Sequence, residues 1–223
     1  MDIVQTFFNL DVLRSSLPAL LSGLVVTVVL GVVCAIVSTV LGLAFALLRL
    51  YGAKPIRVAV AFYIDVFRSI PILVLLVLIY YALPFLGVRL SSFSSAASAL
   101  SLVAAAYAAE IFRAGFQSIP KGQFEAASAI GLGFFNTMRD VVIPQAFRLV
   151  VPPLTGNAIS VLKDTALASV VAMPDLLKQA TQAQSLAANP SPLVGAALLY
   201  LLLLLPLVKI VSRFENRGLS EGR

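Results

Sequence analysis

The sequence has no histidine and a single cysteine, Cys34, among 223 residues, and only 12% of them are charged. Without histidine there are no imidazole proton relays, no histidine metal ligands and no Ser-His or Cys-His nucleophile pairs. A lone cysteine inside an apolar run forms no intramolecular disulfide and is expected to be a small core residue. The low charge content carries most weight. A soluble domain of this size has about 25% charged residues, so this chain lacks the polar groups to cover its apolar surface in water. The phosphate-binding pattern GxxxxGK[ST] is also missing, which excludes an ATPase site of that kind in this chain.

What is present is apolar: 60% of the residues are hydrophobic and the mean hydropathy is +1.01. A helix needs about 20 apolar residues to cross a bilayer core of about 30 Å. Leu17 to Leu48 holds no charge over 32 residues; Ile70 to Val88 and Leu90 to Ala109 give further uncharged runs of 19 and 20. A last span centres on the Leu-rich block Leu201 to Leu205, within 193–211. The stretch from Val141 is apolar but interrupted by Pro144, Arg148, Pro152 and Pro153. It counts as a broken fourth span over 141–174. The expected fold is therefore all-α and integral to the membrane, one domain over 1–223, with spans near 17–48, 70–88, 90–112, 141–174 and 193–211. The N-terminus carries Asp2 and Asp11 ahead of a very long apolar run, unlike a cleavable signal peptide.

The net charge of +6 comes from basic residues at the ends of apolar runs, which argues against nucleic-acid binding. With the N-terminus outside, Arg49, Lys54, Arg57 and Arg68, then Arg113, Lys121, Arg139 and Arg148, then Lys209, Arg213, Arg217 and Arg223 all fall on the cytoplasmic side. These are 12 of the 16 basic residues, so the predicted orientation is N-out, C-in. Small residues step by four along the first span (Gly23, Thr27, Gly31, Ala35, Thr39) and the third (Ala97, Ser101, Ala105, Ala109), as close helix packing in lipid requires. Five spans are few to enclose a pathway, which points to a dimer or pseudo-dimer.

The segment between the third and fourth spans is too long for a simple connector. From Ser118 it reads SIPKGQFEAASAIGLGFFNTMRDVVIPQAFR. Pro120 suits a helix start, Gln123 to Ile130 are helix formers, Gly131 and Gly133 break the helix, and Phe134 to Asp140 can form a second short one. Two short helices joined at glycine would make a rigid knob over 118–140. Its Phe116, Phe124, Phe134, Phe135 and Met138 are unlike the content of a disordered loop and suit a partner surface.

Glu125-Ala126-Ala127, followed by Gly131 and then Ile143-Pro144, resembles the EAA loop of ABC importer permeases. Phe67-Arg68-Ser69-Ile70-Pro71, Ala109-Glu110-Ile111-Phe112-Arg113-Ala114-Gly115 and Leu162-Lys163-Asp164-Thr165-Ala166-Leu167 resemble recurring segments of the polar amino acid subfamily. The likeness covers roughly residues 20 to 215. It implies a subunit of the cytoplasmic (inner) membrane that translocates amino acids by alternating access. A coupling loop of Glu125, Ala126, Ala127 and Gly131 would dock on cytoplasmic ATPase subunits. The other implied partners are a second permease subunit, identical or similar, and an extracytoplasmic substrate-binding protein. The chain itself would be no enzyme and bind no cofactor, ATP being hydrolysed by the partner. The alternative from the residues alone is a channel or secondary transporter subunit needing no ATPase.

Ionisable residues at membrane depth are functional candidates. Glu110 with Arg113 three residues on, and Asp65 with Arg68, read as interfacial pairs or as part of a substrate pathway. For Lys163 and Asp164 the depth depends on where the crossing helix starts. From Pro144, Lys163 is about 28 Å along, at the outer surface; from Pro152 and Pro153 it is about 15 Å in, near the midplane. The candidate pathway residues are Asp164, Lys163, Glu110 and Arg68.

Overall fold

The computed structural model describes residues 3–220. Of the residues weighed above, Asp2 and Arg223 lie outside it, as do the side chains of Arg213 and Arg217. A short helix α1 (Ile3–Phe7) leads into α2 (Leu10–Tyr51), which starts where the Asn9 side chain accepts from the backbone N–H of Asp11 and Val12. At 1.5 Å per residue α2 is about 63 Å long, twice the apolar core of a bilayer. Helix α3 (Lys54–Ser69) follows, then α4 (Ile72–Val77), a π turn (Leu78–Ala82) and a 3-10 turn (Leu83–Leu86) ending at Gly87. Helix α5 spans Ser92–Gln117 and α6 Lys121–Ala129. A single turn α7 (Phe134–Asn136) passes through a π segment (Thr137–Val142) into α8 (Ile143–Asp164). A 3-10 segment (Thr165–Val171), α9 (Leu176–Ala187) and α10 (Ser191–Ser220) complete the chain.

Among the described residues, three helical stretches are long and apolar enough to cross a membrane: Gln5–Tyr51, Ser92–Gln117 and Ser191–Val211. A fourth appears when Lys54–Ser69 and Ile72–Leu86, bent by 102° at the Ile70-Pro71 break, are taken together. Taken as one span, the bent pair begins at Lys54, ahead of the expected start at Ile70. The cause of the bend is local. Pro71 has no N–H to continue the ladder, and proline disfavours the helical region for Ile70, which is extended at ψ 132.

Contacts along the helices give their directions. Cys34 on α2 sits beside Ala97 on α5, and Gly42 beside Ala108, so α2 and α5 run parallel. The bent α3–α4 segment must therefore return between them. Gly115 of α5 meets Val150 of α8, while the Asn157 amide donates to Ala104 O at 3.2 Å, so α8 runs antiparallel to α5. Ser191 Oγ at the head of α10 accepts from Asn9 N at 2.9 Å, which sets α10 parallel to α2. Helix α8 is not among the helices apolar enough to count as a span by composition, and it packs against α2, α5 and α10.

Helix α5 is the centre of the molecule. Ala96, Ala99, Ala104, Ala105, Ala106, Ala108 and Ala109 are all buried, and neighbours cover it on several faces. The small-residue stripe on α2 holds at Gly23, Thr27 and Gly31, which are buried. It then continues through Cys34, Ser38, Gly42 and Ala46, leaving Ala35 and Thr39 only partly covered. A strict step of four drifts by about 40° per step on a helix of 3.6 residues per turn, so a long contact line must take steps of three as well. Cys34 is fully buried, as expected of a small core residue. Leu198, Leu201, Leu202 and Leu205 remain exposed along α10.

Candidate functional site

Two features outside the general packing could do work: a knob between α5 and α8, and a cavity among α3, α4, α5 and α8. The knob starts at Pro120, the N-cap of α6. Ala127 faces inward at 3% exposure, and Glu125 and Ala126 face outward. Helix α6 ends in a Schellman cap: Gly131 N donates to Ser128 O and Leu132 N to Ala127 O, both at 3.0 Å. The cap places Gly131 at φ +79°, the left-handed region where a Cβ is strained. Beneath it lies a small core of its own, Ile119, Val142 and Ala146 with Phe116, Phe124 and Met138 packed against them. Gln145 Nε2 ties the two sides by donating to Gln123 Oε1 at 3.2 Å and to Val141 O at 2.8 Å.

The knob differs from the expected pair of short helices in one respect. Phe134 to Asp140 is no separate helix, because the chain runs through the π segment straight into α8. Thr137 Oγ1, donating to Gly133 O at 3.1 Å, secures that first turn. Ile130, Phe134 and Phe135 project outward at 77%, 74% and 75% exposure, an apolar tip on a rigid base.

The cavity encloses about 550 Å³ and is lined by Arg68, Tyr107, Asn157, Ser160 and Asp164, with the Ser69-Ile70-Pro71 break forming one wall. Its α5 wall is Leu100, Val103, Ala104 and Tyr107. These lie about 12 to 22 Å along a helix about 39 Å long, so the cavity sits halfway down α5. The Arg68 guanidinium carbon is 5.3 Å from the centroid of the Tyr107 ring. No ion pair joins Arg68 to Asp65 among the described residues. Asn157, Ser160 and Asp164 are spaced i, i+3, i+7 and so share one face of α8. The arrangement offers one basic and one acidic side chain, an amide, three hydroxyls and the ends of two half-helices.

Of the four expected pathway residues, the structure brings Arg68 and Asp164 together in this cavity. Lys163 is exposed and does not line it. Glu110 does not line it either. Its carboxylate accepts from Arg113 Nη2 at 2.8 Å and from Arg49 at the end of α2. Tyr107, Asn157 and Ser160 were not anticipated from the sequence. The i, i+3, i+7 pattern ending on Asp164 was the signal available for the latter two.

Comparison with known proteins adds independent findings. The family described as "Binding-protein-dependent transport system inner membrane component" matches residues 38–218. The chain is 36% identical over 203 residues to the arginine transport system permease protein ArtQ of Bacillus subtilis (strain 168), covering 90% of this chain and 93% of that one. It is 33% identical to the probable glutamine ABC transporter permease protein GlnM of the same organism, covering 94% and 97%. Among solved structures, a subunit of an amino acid ABC transporter crystallised with histidines superposes with a TM-score of 0.85 at 36% identity, covering 92% and 96%. An inward-facing MetNI methionine ABC transporter shares the fold, with a TM-score of 0.72 at 23% identity, covering 87% and 94%.

Proposed function

The chain belongs to the binding-protein-dependent transport system inner membrane components, and on that premise we propose how its two features divide the work of import. It is a multi-pass subunit of the cytoplasmic membrane and translocates amino acids in an ATP-driven importer. The whole chain works as one permease domain. A peripheral ATPase docks on the knob of α6, with Glu125, Ala126 and the exposed Ile130, Phe134 and Phe135 as the contact. Ala127 and Gly131 hold its shape. Two permease subunits, identical or similar, line the route at their interface, and an extracytoplasmic binding protein supplies the amino acid. ATP is bound and hydrolysed by the partner.

The cavity is the amino acid's resting place along the route. A free amino acid carries an ammonium and a carboxylate, and charge-assisted hydrogen bonds to them are the strong ones. Asp164 meets the ammonium and Arg68 the carboxylate. A helix broken at mid-span beside such groups, as at Ile70-Pro71, is a recurrent way to build a transporter site. Because the break lies between helices α3 and α4, tilting either half alters the cavity wall without unfolding anything. Movement at the knob reaches the cavity through α5 and α8, which are in close contact at Gly115 and Val150.

The observation that carries this reading is the apolar tip of Ile130, Phe134 and Phe135 on a knob with its own buried core. It is tested by purifying the tagged chain from its native membrane in mild detergent, beside a Phe134→Asp/Phe135→Asp variant. A peripheral ATPase is expected with the wild type and lost or much reduced with the variant. Absence of any ATPase with the wild type, under conditions that preserve such complexes, would overturn the reading.

A further inference from the structure

Glu110 holds two helices at once. It lies on α5, seven residues before that helix ends at Gln117 and the chain turns into α6. One carboxylate oxygen takes an ion pair from Arg49, in the last turn of α2, and the other takes one from Arg113 at 2.8 Å on α5 itself. Arg113 Nε is also within 3.2 and 3.3 Å of the two oxygens, and Arg113 Nη1 donates on to Gln117 Oε1 at the last residue of α5. The chain of contacts runs from α2 through Arg49, Glu110, Arg113 and Gln117 to the root of the knob.

The apolar packing around this cluster holds α2 close to α5, with Phe45 of α2 in the same buried group as Ala109 of α5. Gly42 and Ala108 let α2 and α5 approach closely, and a Cβ at Gly42 would lie 2.5 Å from that of Ala108. Apolar contacts of this kind are non-directional, so they oppose sliding or turning of the helices less than a charged pair does. An ion pair does resist such movement. The side chains of Arg49, Glu110 and Arg113 are only 26%, 18% and 27% exposed, and pulling one away leaves a partly desolvated charge uncompensated. Nothing of the cluster lines the cavity, so its charges are not placed to hold the cargo.

We propose that Glu110 is a positioning residue that locks the end of α2 to the end of α5, so that a displacement of the knob is passed to α2 instead of being absorbed between the helices. The inference rests on the reading that an ATPase docks on the knob. Without the lock, the ATPase still docks and turns over, but less of each cycle reaches the transport pathway. The role is mechanical coupling, distinct from binding the amino acid and from binding the ATPase.

The test uses the complete importer reconstituted in proteoliposomes, with ATP hydrolysis and amino acid uptake measured on the same vesicles. Glu110→Gln keeps the shape and removes the charge. ATP hydrolysis is expected to stay within about two-fold of wild type while uptake falls, so that ATP consumed per amino acid rises about five-fold or more. Arg49→Gln cuts only the link to α2 and leaves Glu110 paired to Arg113. It should raise the same ratio and serves if Glu110→Gln fails to assemble. The exchange Arg49→Glu with Glu110→Arg keeps one acid and two bases in the cluster and should restore most of the coupling. Uptake and hydrolysis falling in step, or an unchanged ratio in both single variants, overturns the proposal. So does failure of the exchange to restore the ratio. A wild-type chain that recruits no ATPase overturns the docking reading together with this one, and co-purification of the wild type separates that outcome from the others.

Discussion

The left-handed backbone at Gly131 gives the knob a test in which sterics can be set aside. A Cβ added there would meet nothing within 4 Å, so Gly131→Ala adds no clash. What it adds is the conformational cost of an L-residue at φ +79°, about 1–2 kcal/mol. That strain falls on the two hydrogen bonds of the cap, from Gly131 to Ser128 and from Leu132 to Ala127. If the docking-competent knob must keep this turn, its population falls by about 5- to 30-fold, and the affinity for the ATPase falls with it. Gly131→Asn should cost less, because asparagine visits the left-handed region more readily.

Gly122 supplies the control. It lies within α6 and also has open space at its Cβ, with no positive φ. Gly122→Ala should therefore be neutral or stabilising by up to about 1 kcal/mol, since alanine is the better helix former. The same substitution nine residues apart then has opposite signs. The assay is titration of the purified ATPase onto the detergent-solubilised chain. Equal losses at both glycines, or no loss at Gly131, would refute the idea that this turn organises the docking surface.

Other consequences concern the pathway and the packing. Asp164→Asn keeps the shape of the cavity and removes its acidic charge. KM for amino acid uptake should rise about 10- to 100-fold with ATPase docking unchanged, the range expected for losing a charge-assisted hydrogen bond. Lys163→Gln, on the residue beside it but outside the cavity, should leave uptake within about two-fold. Gly42→Val places a branched side chain against Ala108 and should destabilise the α2–α5 contact by about 1–3 kcal/mol, read as earlier thermal inactivation in detergent. Gly156→Ala, with open space at its Cβ, is the matched control. Asp175→Ala removes the side chain that accepts from Lys178 N at 3.1 Å and Leu177 N at 3.3 Å, an N-cap worth about 0.5–2 kcal/mol. Hydrogen exchange should speed up in the first turn of α9.

The apolar runs made the long helices legible, because a membrane helix writes its solvent into its composition. They were a poorer guide where a helix is covered by protein. Helix α8 carries Pro152, Pro153 and Arg148 and falls short of a span by composition, yet it packs against α2, α5 and α10 and buries Ala146, Val150, Ile159 and Val161. Helix α3 was hidden for a related reason. Lys54, Arg57, Asp65 and Arg68 interrupt the apolar run, so α3 reads as connector, yet its Ile64 and Val60 are buried against α2 and α5. Arg57 and Arg68 lie on the same helical line as Val60 and Ile64 but stay exposed towards its ends, while the middle of the line is packed. Counting charges along a segment hides that packed stretch, which only the tertiary contacts reveal.

Helical angle and tertiary placement together decide what became of the four candidate charges. Lys163 and Asp164 are adjacent in sequence, and neighbours on a helix point about 100° apart, so no more than one of them could be expected to face a given cavity. Asp164 does, in line with Asn157 and Ser160. Arg68 joins them across a gap of 96 residues because the break at Ile70-Pro71 ends α3 beside α5, a placement that no local spacing encodes. Glu110 and Arg113 were visible as an i, i+3 pair, but the third member, Arg49, comes from another helix that happens to run parallel. That parallel course follows from the return of the chain through α3 and α4 to begin α5 alongside α2. One segment thus serves two places: its proline-marked break forms a wall of the cavity, and its return lets Arg49 reach Glu110. A substitution that straightened it, such as Pro71→Ala, would be felt at both places, whereas a change confined to either charge cluster would be felt at one.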